Sequence, residues 1–361
     1  IYETALELHG KGEGHTSPNP MVGCVVVKDG RIISEGYHEK YGEFHAERNA
    51  LTRCTEDTAG ADLYVTLEPC CHQGKTPPCT DIIIEKKIAR VFVGSMDSNP
   101  LVAGKGVQIL RDHGIYVETG ILDAECRKLN EVFYHYIATK TPFVVMKYAM
   151  TLDGKIACAT GDSKWVTGEI ARTQVHQMRG RYRGIMVGIG TVLADDPMLN
   201  CRVEGGVDPV RIICDSNLRI PTESQIVKTA SDIETIVACS QEALESERKQ
   251  EKIRRLKEAG IQIIGTEGAH GVNLVELMKK LGGQNIDSIL LEGGGTLNAS
   301  ALEDGIVNKV YAYIAGKLIG GMDARSPVEG MGIDRMADAI TLQNVEIEKL
   351  GDDFCIVGYV K

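Results

Sequence analysis

In the first part of the chain, the arrangement of apolar and polar residues switches repeatedly between a pattern typical of strands and a pattern typical of helices. Short runs rich in Val, Ile and Leu have the length of strands, and the stretches between them suit helices. Asp29-Gly30, between two extended runs, is a strong hairpin signal. The order predicts an α/β domain in which a hairpin leads into right-handed crossover units. The predicted strands cover residues 22–28, 31–36, 63–67, 90–94 and 116–117, and the predicted helices cover residues 2–11, 45–53, 80–87, 106–113 and 122–139.

The second part of the chain continues the α/β pattern without repeating the sequence of the first. Two closing extended segments, separated by Gly351-Asp352-Asp353, predict an antiparallel edge on a mostly parallel sheet. The polar stretch Lys140-Thr141-Pro142 predicts the boundary between two domains, residues 1–141 and residues 142–361. The predicted strands here cover residues 143–149, 184–188, 210–214, 235–238, 262–265, 288–291, 309–314, 345–350 and 354–360, and the predicted helices cover residues 169–179, 241–259 and 297–302.

Composition narrows the classes of molecule that the protein is expected to bind. The 361 residues are 43% hydrophobic and 25% charged, which is enough for two domains with ordinary cores. Forty basic against fifty acidic residues give a net charge of −10. Such a chain lacks the broad cationic surface that duplex or tRNA binding needs, so small-molecule substrates are favoured over nucleic acid.

The cysteine content and the hydropathy of the sequence predict the cellular compartment of the protein. Eleven cysteines form no regular framework, and no secretory segment precedes the first glycine-rich loop, so we expect reduced thiols in a cytoplasmic protein. No apolar run reaches the ~20 residues of a membrane span, so no membrane partner is expected. The chain opens at Ile1 without Met, and we expect a few native residues to precede it.

Three metal-binding side chains and one carboxylate carry the clearest chemical signal. His45 and Glu47 form an H-x-E triplet, Cys70 follows a proline, and Cys79 comes nine positions later. Zinc deaminases combine H-x-E with P-C-x-x-C and use the Glu as general acid/base, not as a ligand. Catalytic zinc keeps one coordination position for water, and one His with two Cys supplies the other three. The pattern predicts one catalytic zinc per chain, held by His45, Cys70 and Cys79, with Glu47 free to move protons.

The spacing departs from the usual signature, because eight residues separate Cys70 from Cys79 instead of two. A loop must therefore bring Cys79 back to the metal. Pro77-Pro78 just before it suits a helix start, where the helix dipole favours a thiolate. Cys71 is a rival for Cys70, and Cys70 is preferred because it follows the proline.

Glycine-rich turns in the second part suggest a nucleotide site. The turn Gly293-Gly294-Gly295 lies between a hydrophobic strand and a predicted helix, where its amides can bind an anion. Gly188-Ile189-Gly190-Thr191 is a second such turn. The dinucleotide fingerprint G-x-G-x-x-G is absent, so the pattern alone does not name a cofactor.

Several motifs together resemble the family of bifunctional riboflavin-biosynthesis deaminase/reductases. The long spacer before the second cysteine is typical of that family, and the resemblance extends over nearly the whole chain. The matching segments in the first part are Asn19-Pro20-Met21-Val22-Gly23, His45-Ala46-Glu47, Thr66-Leu67-Glu68-Pro69-Cys70, Gly74-Lys75-Thr76-Pro77-Pro78-Cys79 and Asn99-Pro100-Leu101-Val102-Ala103-Gly104. Those in the second part are Thr151-Leu152-Asp153-Gly154-Lys155, Gly161 to Thr167, Gly190 to Pro197 and Lys317-Leu318-Ile319-Gly320-Gly321.

The resemblance implies a cytidine-deaminase-like α/β/α domain followed by a dihydrofolate-reductase-like α/β domain. The first would deaminate 2,5-diamino-6-ribosylamino-4(3H)-pyrimidinone 5′-phosphate. The second would use NADPH to reduce the ribosyl side chain of 5-amino-6-(5-phosphoribosylamino)uracil to ribityl. It also suggests a homodimer or tetramer formed through the reductase domain.

The resemblance also assigns binding residues. In the deaminase, Asn19 would bind the base, and Lys75 or His72 would sense the ribose phosphate. The proton donor for the reduction stays open between Asp195 and Lys147. The residues implied to contact NADPH are Ala149, Trp165, Thr191, Asp195, Ser216, Gly294, Gly295 and Thr296, and those implied to contact the reductase substrate are Ser163, Arg179, Leu199, Arg202 and Glu292.

Three other interpretations compete. The chain could be a zinc deaminase of free nucleosides or tRNA with an unrelated tail, which the cysteine spacer and the acidic balance disfavour. A non-enzymatic module held together by zinc would need a fourth ligand and leaves Glu47 unexplained. In a third interpretation, one of the two domains has lost its activity.

Overall fold

The chain folds into two units, Ile1–Lys140 and Thr141–Lys361, and each contains its own β-sheet. The computed structural model describes residues 1–268 and 271–361. Within these ranges no helix combines the length and the apolar content needed to cross a bilayer.

The first unit is a five-stranded sheet with the strand order β2-β1-β3-β4-β5. Strand β1 pairs antiparallel with β2 and β3, and the other pairs are parallel. Asp29 and Gly30 both have positive φ in the hairpin turn, as a tight turn of this kind requires. The strands are β1 (Gly23–Lys28), β2 (Arg31–Tyr37), β3 (Asp62–Leu67), β4 (Arg90–Ser95) and β5 (Tyr116–Thr119), and the helices are α1 (Tyr2–Gly10), α2 (Ala46–Arg53), α3 (Cys79–Glu85), α4 (Lys105–Asp112), α5 (Asp123–Leu129) and α6 (Glu131–Thr139).

The single helix predicted over residues 122–139 is wrong, because the structure breaks it at Asn130 into α5 and α6. The Asn130 side chain accepts a hydrogen bond from the Met21 amide at 3.0 Å and donates one to the Met21 carbonyl at 2.9 Å. The break therefore ties the last helices of the unit to the segment that leads into β1.

The second unit is a nine-stranded sheet with the order β10-β9-β8-β7-β11-β6-β12-β14-β13. Its strands are parallel except that β14 runs antiparallel to both β12 and β13, so the predicted antiparallel edge is confirmed. The strands are β6 (Phe143–Thr151), β7 (Gly184–Gly188), β8 (Val210–Cys214), β9 (Thr235–Ser240), β10 (Gln262–Thr266), β11 (Ser288–Leu291), β12 (Val307–Ala315), β13 (Leu342–Leu350) and β14 (Asp353–Val360). The helices are α7 (Glu169–Arg181), α8 (Ile189–Asp195), α9 (Gln225–Lys228), α10 (Gln241–Glu245), α11 (Gln250–Glu258), α12 (Leu274–Gly283) and α13 (Gly295–Glu303), with 3₁₀ turns at Glu247–Lys249 and Met336–Asp338.

One helix prediction in this unit is wrong, and three helices were not predicted. The helix predicted over residues 241–259 is interrupted at Ser246, which has an extended backbone and separates α10 from the 3₁₀ turn and α11. Helix α12 was not predicted, although Asn273 caps it by accepting a hydrogen bond from the Glu276 amide at 3.0 Å. Asn three residues before Glu is a helix-start signal that the sequence does carry. Helices α8 and α9 were also not predicted.

Both faces of the central parallel strands are buried. Met186 and Ile212 pack into one hydrophobic cluster, and their neighbours Ile185 and Ile213 pack into another on the opposite face. This explains why these strands are continuous apolar runs. The carboxyl ends of β8, β7, β11 and β6 lie side by side at one edge of the sheet.

Candidate active sites

Side chains from three separate segments of the first unit meet at one point. The potential ligand atoms of His45, Cys70 and Cys79 all lie within 4.8 Å of one another. His45 Nδ1 is 3.4 Å from Cys70 Sγ and 3.6 Å from Cys79 Sγ. One imidazole and two thiols at this spacing fit a Zn²⁺ ion and leave a coordination position open.

Local backbone structure explains the convergence. His45 is the N-cap residue of α2, Cys70 follows β3, and Cys79 is the first residue of α3. The Thr80 amide donates to the Cys70 carbonyl at 3.2 Å, so a backbone hydrogen bond joins the two ends of the loop between Cys70 and Cys79. Cys71 points elsewhere, with its Sγ 3.7 Å from the Leu101 carbonyl oxygen.

Electrostatics prepare the thiols for a metal. The hydrogen bond with Cys79 and the neighbouring His45 imidazole lower the pKa of Cys70 well below that of an ordinary thiol. The pKa of Cys79 is raised, because it shares its proton with Cys70 and is buried. The pair therefore favours a thiolate at Cys70, which is the form that ligates metal.

Glu47 lies beside the cluster and is not part of it. Only 3% of its surface is exposed, and it stands in the first turn of α2, two residues after His45. Burial raises the pKa of Glu47 to about 7, and the nearby Cys70 thiolate adds to the rise. A carboxyl group with a pKa near neutrality can both accept and donate a proton.

A cavity of about 290 Å³ opens over Glu47 and the cluster. Asn19 and Lys75, both predicted to bind substrate, line it. His38, Asp97 and Asn99 also line it, and sequence reasoning gave them no role.

Burial sets the protonation of two of these unassigned residues. It lowers the pKa of His38 to about 4, so this imidazole is neutral and its Nε2 lies 3.4 Å from Asn19 Nδ2. It raises the pKa of Asp97 to about 6. Asp97 and Asn99 come directly after β4, the strand beside β3, and that position at the sheet edge is the signal that could have identified them.

The second unit gathers charged groups at the carboxyl edge of its sheet. Arg179 donates to both carboxylate oxygens of Glu292, at 2.7 Å and 3.0 Å, and Lys147 Nζ lies 3.6 Å from Glu292. Burial opposes ionisation of Glu292, but Lys147 and Arg179 outweigh it and lower its pKa to about 2. Glu292 follows β11 and Lys147 lies in β6, so neighbouring strands build this cluster.

Most of the residues predicted to contact the cofactor lie along this same edge. Ala149 is in β6, Thr191 and Asp195 are in α8 after β7, Ser216 follows β8, and Gly294 caps α13 after β11. Nothing lies within 4 Å of where a side chain at Gly294 would begin, so a ligand can approach that backbone closely. The carboxyl ends of parallel strands, with a glycine at a helix start, are a place where phosphate-bearing dinucleotides such as NADPH can bind.

Other predicted residues have protein partners in this structure. Thr296 donates a hydrogen bond to Glu329 at 3.2 Å, and a side chain on Gly295 would collide with the same glutamate. The Ser216 hydroxyl accepts from the Val272 amide at 3.2 Å. Ser163, Leu199 and Arg202 lie in the loops that follow β6 and α8. Trp165 is 62% exposed, with the Arg172 guanidinium 4.8 Å from its ring centre.

These two sites define a class: an α/β unit with a three-ligand metal site of the kind that zinc deaminases use, followed by an α/β unit with a glycine helix start at the carboxyl edge of a parallel sheet. Comparison with known families agrees with this. The cytidine and deoxycytidylate deaminase zinc-binding region matches residues 1–95, and the RibD C-terminal domain matches residues 142–356.

Similarity to individual proteins extends over the whole chain. The riboflavin biosynthesis protein RibD of Actinobacillus pleuropneumoniae is 52% identical over 99% of this chain and 93% of its own length. The Escherichia coli RibD is 40% identical over 98% and 96%. The crystal structure of a diaminohydroxyphosphoribosylaminopyrimidine deaminase/5-amino-6-(5-phosphoribosylamino)uracil reductase from Thermotoga maritima is 38% identical, covers 100% of this chain and 99% of its own, and superposes with a TM-score of 0.87.

The chain belongs to the RibD family of bifunctional riboflavin-biosynthesis enzymes, a zinc-dependent deaminase joined to an NADPH-dependent reductase. The family resemblance drawn from the motifs is confirmed, and so are the two fold classes. Because both parts match family regions, the interpretation of a nucleoside deaminase with an unrelated tail is wrong.

Proposed function

We propose that residues 1–141 form the deaminase domain, which converts 2,5-diamino-6-ribosylamino-4(3H)-pyrimidinone 5′-phosphate and water to the uracil product and ammonia. His45, Cys70 and Cys79 would hold one zinc ion, which lowers the pKa of bound water to roughly 7. Glu47 accepts one proton from the attacking water and delivers it to the ring nitrogen; it then takes the proton of the newly added hydroxyl group and passes it to the amino group, which leaves as ammonia while the carbonyl forms. The observation that carries this proposal is a buried carboxyl with a pKa of about 7 beside the three converging ligands and outside their cluster.

Asn19 and Lys75 hold the substrate in this proposal. Asn19 lines the cavity next to the neutral His38, where its amide can pair with the polar edge of a pyrimidine. Lys75 extends from the spacer loop to the same cavity and supplies a cation for the ribose phosphate.

Substitution of Glu47 tests the proton-transfer role. In Glu47→Gln, we expect about one zinc per chain to be retained and ammonia release to fall by at least about 100-fold, since general acid/base catalysis contributes roughly that much. NADPH oxidation on the deaminated intermediate should persist in the same variant. Normal ammonia release by Glu47→Gln would refute the assignment.

We also propose that residues 142–361 form the reductase domain. NADPH supplies the hydride that converts the ribosyl group of 5-amino-6-(5-phosphoribosylamino)uracil to ribityl. Arg179 and Glu292 form one wall of the substrate site, where the ion pair with Lys147 keeps Glu292 ionised and able to accept hydrogen bonds from sugar hydroxyls. The remaining proposed contacts are Ser163, Leu199 and Arg202 for substrate, and Ala149, Trp165, Thr191, Asp195, Ser216, Gly294, Gly295 and Thr296 for NADPH.

Arg202 provides a test with a charge-matched control. Arg202→Ala should raise the KM of the phosphorylated intermediate by about tenfold or more, the effect of losing a charged hydrogen bond, and should spare ammonia release. Arg248→Ala removes another exposed arginine, from the 3₁₀ turn after α10, and should change neither reaction. Equal KM values for the two variants would remove Arg202 from the substrate site.

A homo-oligomer formed through the reductase domain completes the proposal. Strand β13 is an edge strand, and all its residues except the first and the last are exposed. Ile347 on this strand is 68% exposed, and Met331 in the preceding segment is 98% exposed. Exposed apolar side chains along an unpaired strand edge suit contact with a second copy of the chain.

The cysteines bear on the location of the protein. The free state of all eleven cysteines suits a reducing compartment such as the cytoplasm.

Sedimentation analysis tests the proposed interface. The wild-type chain should sediment as a dimer or tetramer, and Ile347→Lys should shift it towards the monomer. Val275→Lys places the same charge on α12, where Val275 is also partly exposed, and should leave the assembly unchanged. An assembly that survives Ile347→Lys would exclude β13 from the interface.

A further inference from the structure

The ammonium group of Lys75 lies over an aromatic ring that lines the deaminase cavity. Its ammonium nitrogen lies 4.0 Å from the centre of the Tyr41 ring. Its alkyl chain passes Gly42, where a side chain would begin 3.5 Å from Lys75 Cδ and 3.7 Å from Nζ. Tyr41, Gly42 and Lys75 all line the cavity above the metal ligands.

Backbone hydrogen bonds fix the turn that carries Tyr41. The Tyr41 amide donates to the His15 carbonyl at 3.1 Å, and the Glu43 amide donates to the Lys40 carbonyl at 3.0 Å, which closes a tight turn. Gly42 occupies the left-handed region at φ 87° in this turn, a conformation that favours glycine, and it lies against the lysine side chain. Tyr41 remains 41% exposed, so its ring is available to a group that arrives from outside the core.

Lys75 has no carboxylate partner among the ion pairs of residues 1–268 and 271–361. An ammonium above an aromatic face is attracted by the ring, and the ring occupies only one side of it. The remaining N–H groups can donate to an anion. Without the ring, a lysine on an exposed loop would sample many rotamers and would lose that freedom when it bound a ligand.

We propose that Tyr41 is a positioning residue that holds Lys75 towards the phosphate of the aminopyrimidine substrate, so that the deaminase selects the phosphorylated substrate over its dephosphorylated form. The inference rests on the proposed function of Lys75 as the phosphate contact. Tyr41 acts through Lys75 and makes no contact with the reacting atoms.

The experiment uses the full-length, zinc-loaded chain and measures ammonia release with two substrates, the aminopyrimidine ribosyl phosphate and its dephosphorylated ribosyl form. In Tyr41→Leu, we expect KM for the phosphorylated substrate to rise by about fivefold to tenfold, as the loss of a cation–π contact predicts. The kcat for that substrate and the kcat/KM for the dephosphorylated one should stay at wild-type values. Tyr41→Phe keeps the ring and should behave as wild type.

A second variant separates failure of the inference from failure of the proposed function. Lys75→Met should abolish the preference for the phosphorylated substrate. If Lys75→Met keeps the preference, Lys75 is not the phosphate contact and both proposals fail. If Lys75→Met loses it while Tyr41→Leu keeps it, only the role of Tyr41 is overturned.

A purely structural role for Tyr41 makes a different prediction. Tyr41→Leu would then lower kcat/KM for both substrates equally, or Tyr41→Phe would share the defect, and either result overturns the inference. Zinc content and NADPH oxidation on the deaminated intermediate, measured for each variant, confirm that the chain is folded.

Discussion

Glu292 shows how a single residue can be both a binding group and a contributor to stability. Its carboxylate is nearly buried and is balanced by Arg179 and Lys147, whose side chains are also mostly buried. Removal of the carboxylate would leave two cations without their partner, which costs more than the ion pair itself contributes. The cluster therefore constrains the edge of the sheet where substrate is proposed to bind.

Stability against acid follows from the same carboxylate. The pKa of Glu292 is about 2 in the folded chain, against 4.5 for an ordinary glutamate, so its contribution is complete above pH 4.5 and is lost as the pH falls towards 2. Glu292→Gln should lower the free energy of unfolding at pH 6 by about 3 kcal/mol. Urea unfolding of both chains at several pH values should show this difference shrinking below pH 4.5. A difference that does not change with pH would show that Glu292 is not ionised in the folded chain.

Arg211 is the second residue whose replacement should be costly. It is 0% exposed and donates hydrogen bonds to Thr235, Thr229 and backbone carbonyls that include those of Ile226 and Ile233. Burial lowers its pKa to about 10, so it remains charged at neutral pH. Arg211→Met fills a similar volume but leaves these acceptors without a donor. We expect a loss of about 3 kcal/mol in urea unfolding, whereas a stability close to that of wild type would mean that the acceptors find other donors.

At the scale of elements, the junction between β3 and α4 holds the segment that carries Cys70. The buried Glu68 carboxylate accepts hydrogen bonds from the amides of Asp97, Gly104 and Val107, at 3.3, 2.9 and 3.2 Å. Two of these donors, Gly104 and Val107, stand at the start of α4, where the helix dipole favours the negative charge, and the third follows β4. The cavity wall and the ligand-bearing segment are fixed to each other through this carboxylate.

The same junction needs a glycine at residue 106. A side chain there would begin 2.1 Å from the Pro69 carbonyl oxygen, so Gly106→Ala must displace either α4 or the Pro69–Cys70 segment. We expect zinc affinity to fall by about tenfold or more, as for other residues that orient ligands, in a competition with a chelator. Gly10→Ala is the matched control, because nothing lies within 4 Å of that position. Unchanged zinc affinity in Gly106→Ala would mean that α4 moves instead.

The sequence predicts elements well where the signal is local. The strands of both sheets and the Asp29-Gly30 turn follow from apolar runs and turn residues, and the metal motif is read directly from residue types and spacing. The break at Asn130 is invisible locally, because its partner Met21 is 109 residues away. His38 was missed for a related reason, since only the folded sheet brings it to the cavity, whereas the position of Asp97 after β4 is a signal that the sequence does carry.

At the scale of the whole molecule, the two units have separate hydrophobic cores. One core lies around Val26, Leu63 and Val91, and the nine-stranded sheet of the other unit has clusters on both faces. From the size of each core, we expect each unit to unfold cooperatively without the other. The three candidate metal ligands, His45, Cys70 and Cys79, all belong to the first unit, and the residues proposed to bind NADPH all belong to the second.

Calorimetry of the full chain should therefore show two separable transitions with different ligand responses. Removal of zinc by a chelator should lower the melting temperature of one transition only, since zinc binding adds free energy only to the fold that holds it. NADPH at about 100 times its Kd should stabilise the other transition by about 2.7 kcal/mol and leave the first unchanged. Glu47→Gln, which keeps the three ligands, is the control that should retain the zinc response. A single transition that responds to both treatments would show instead that the two cores unfold together. The two units would then bind different ligands without being independently stable.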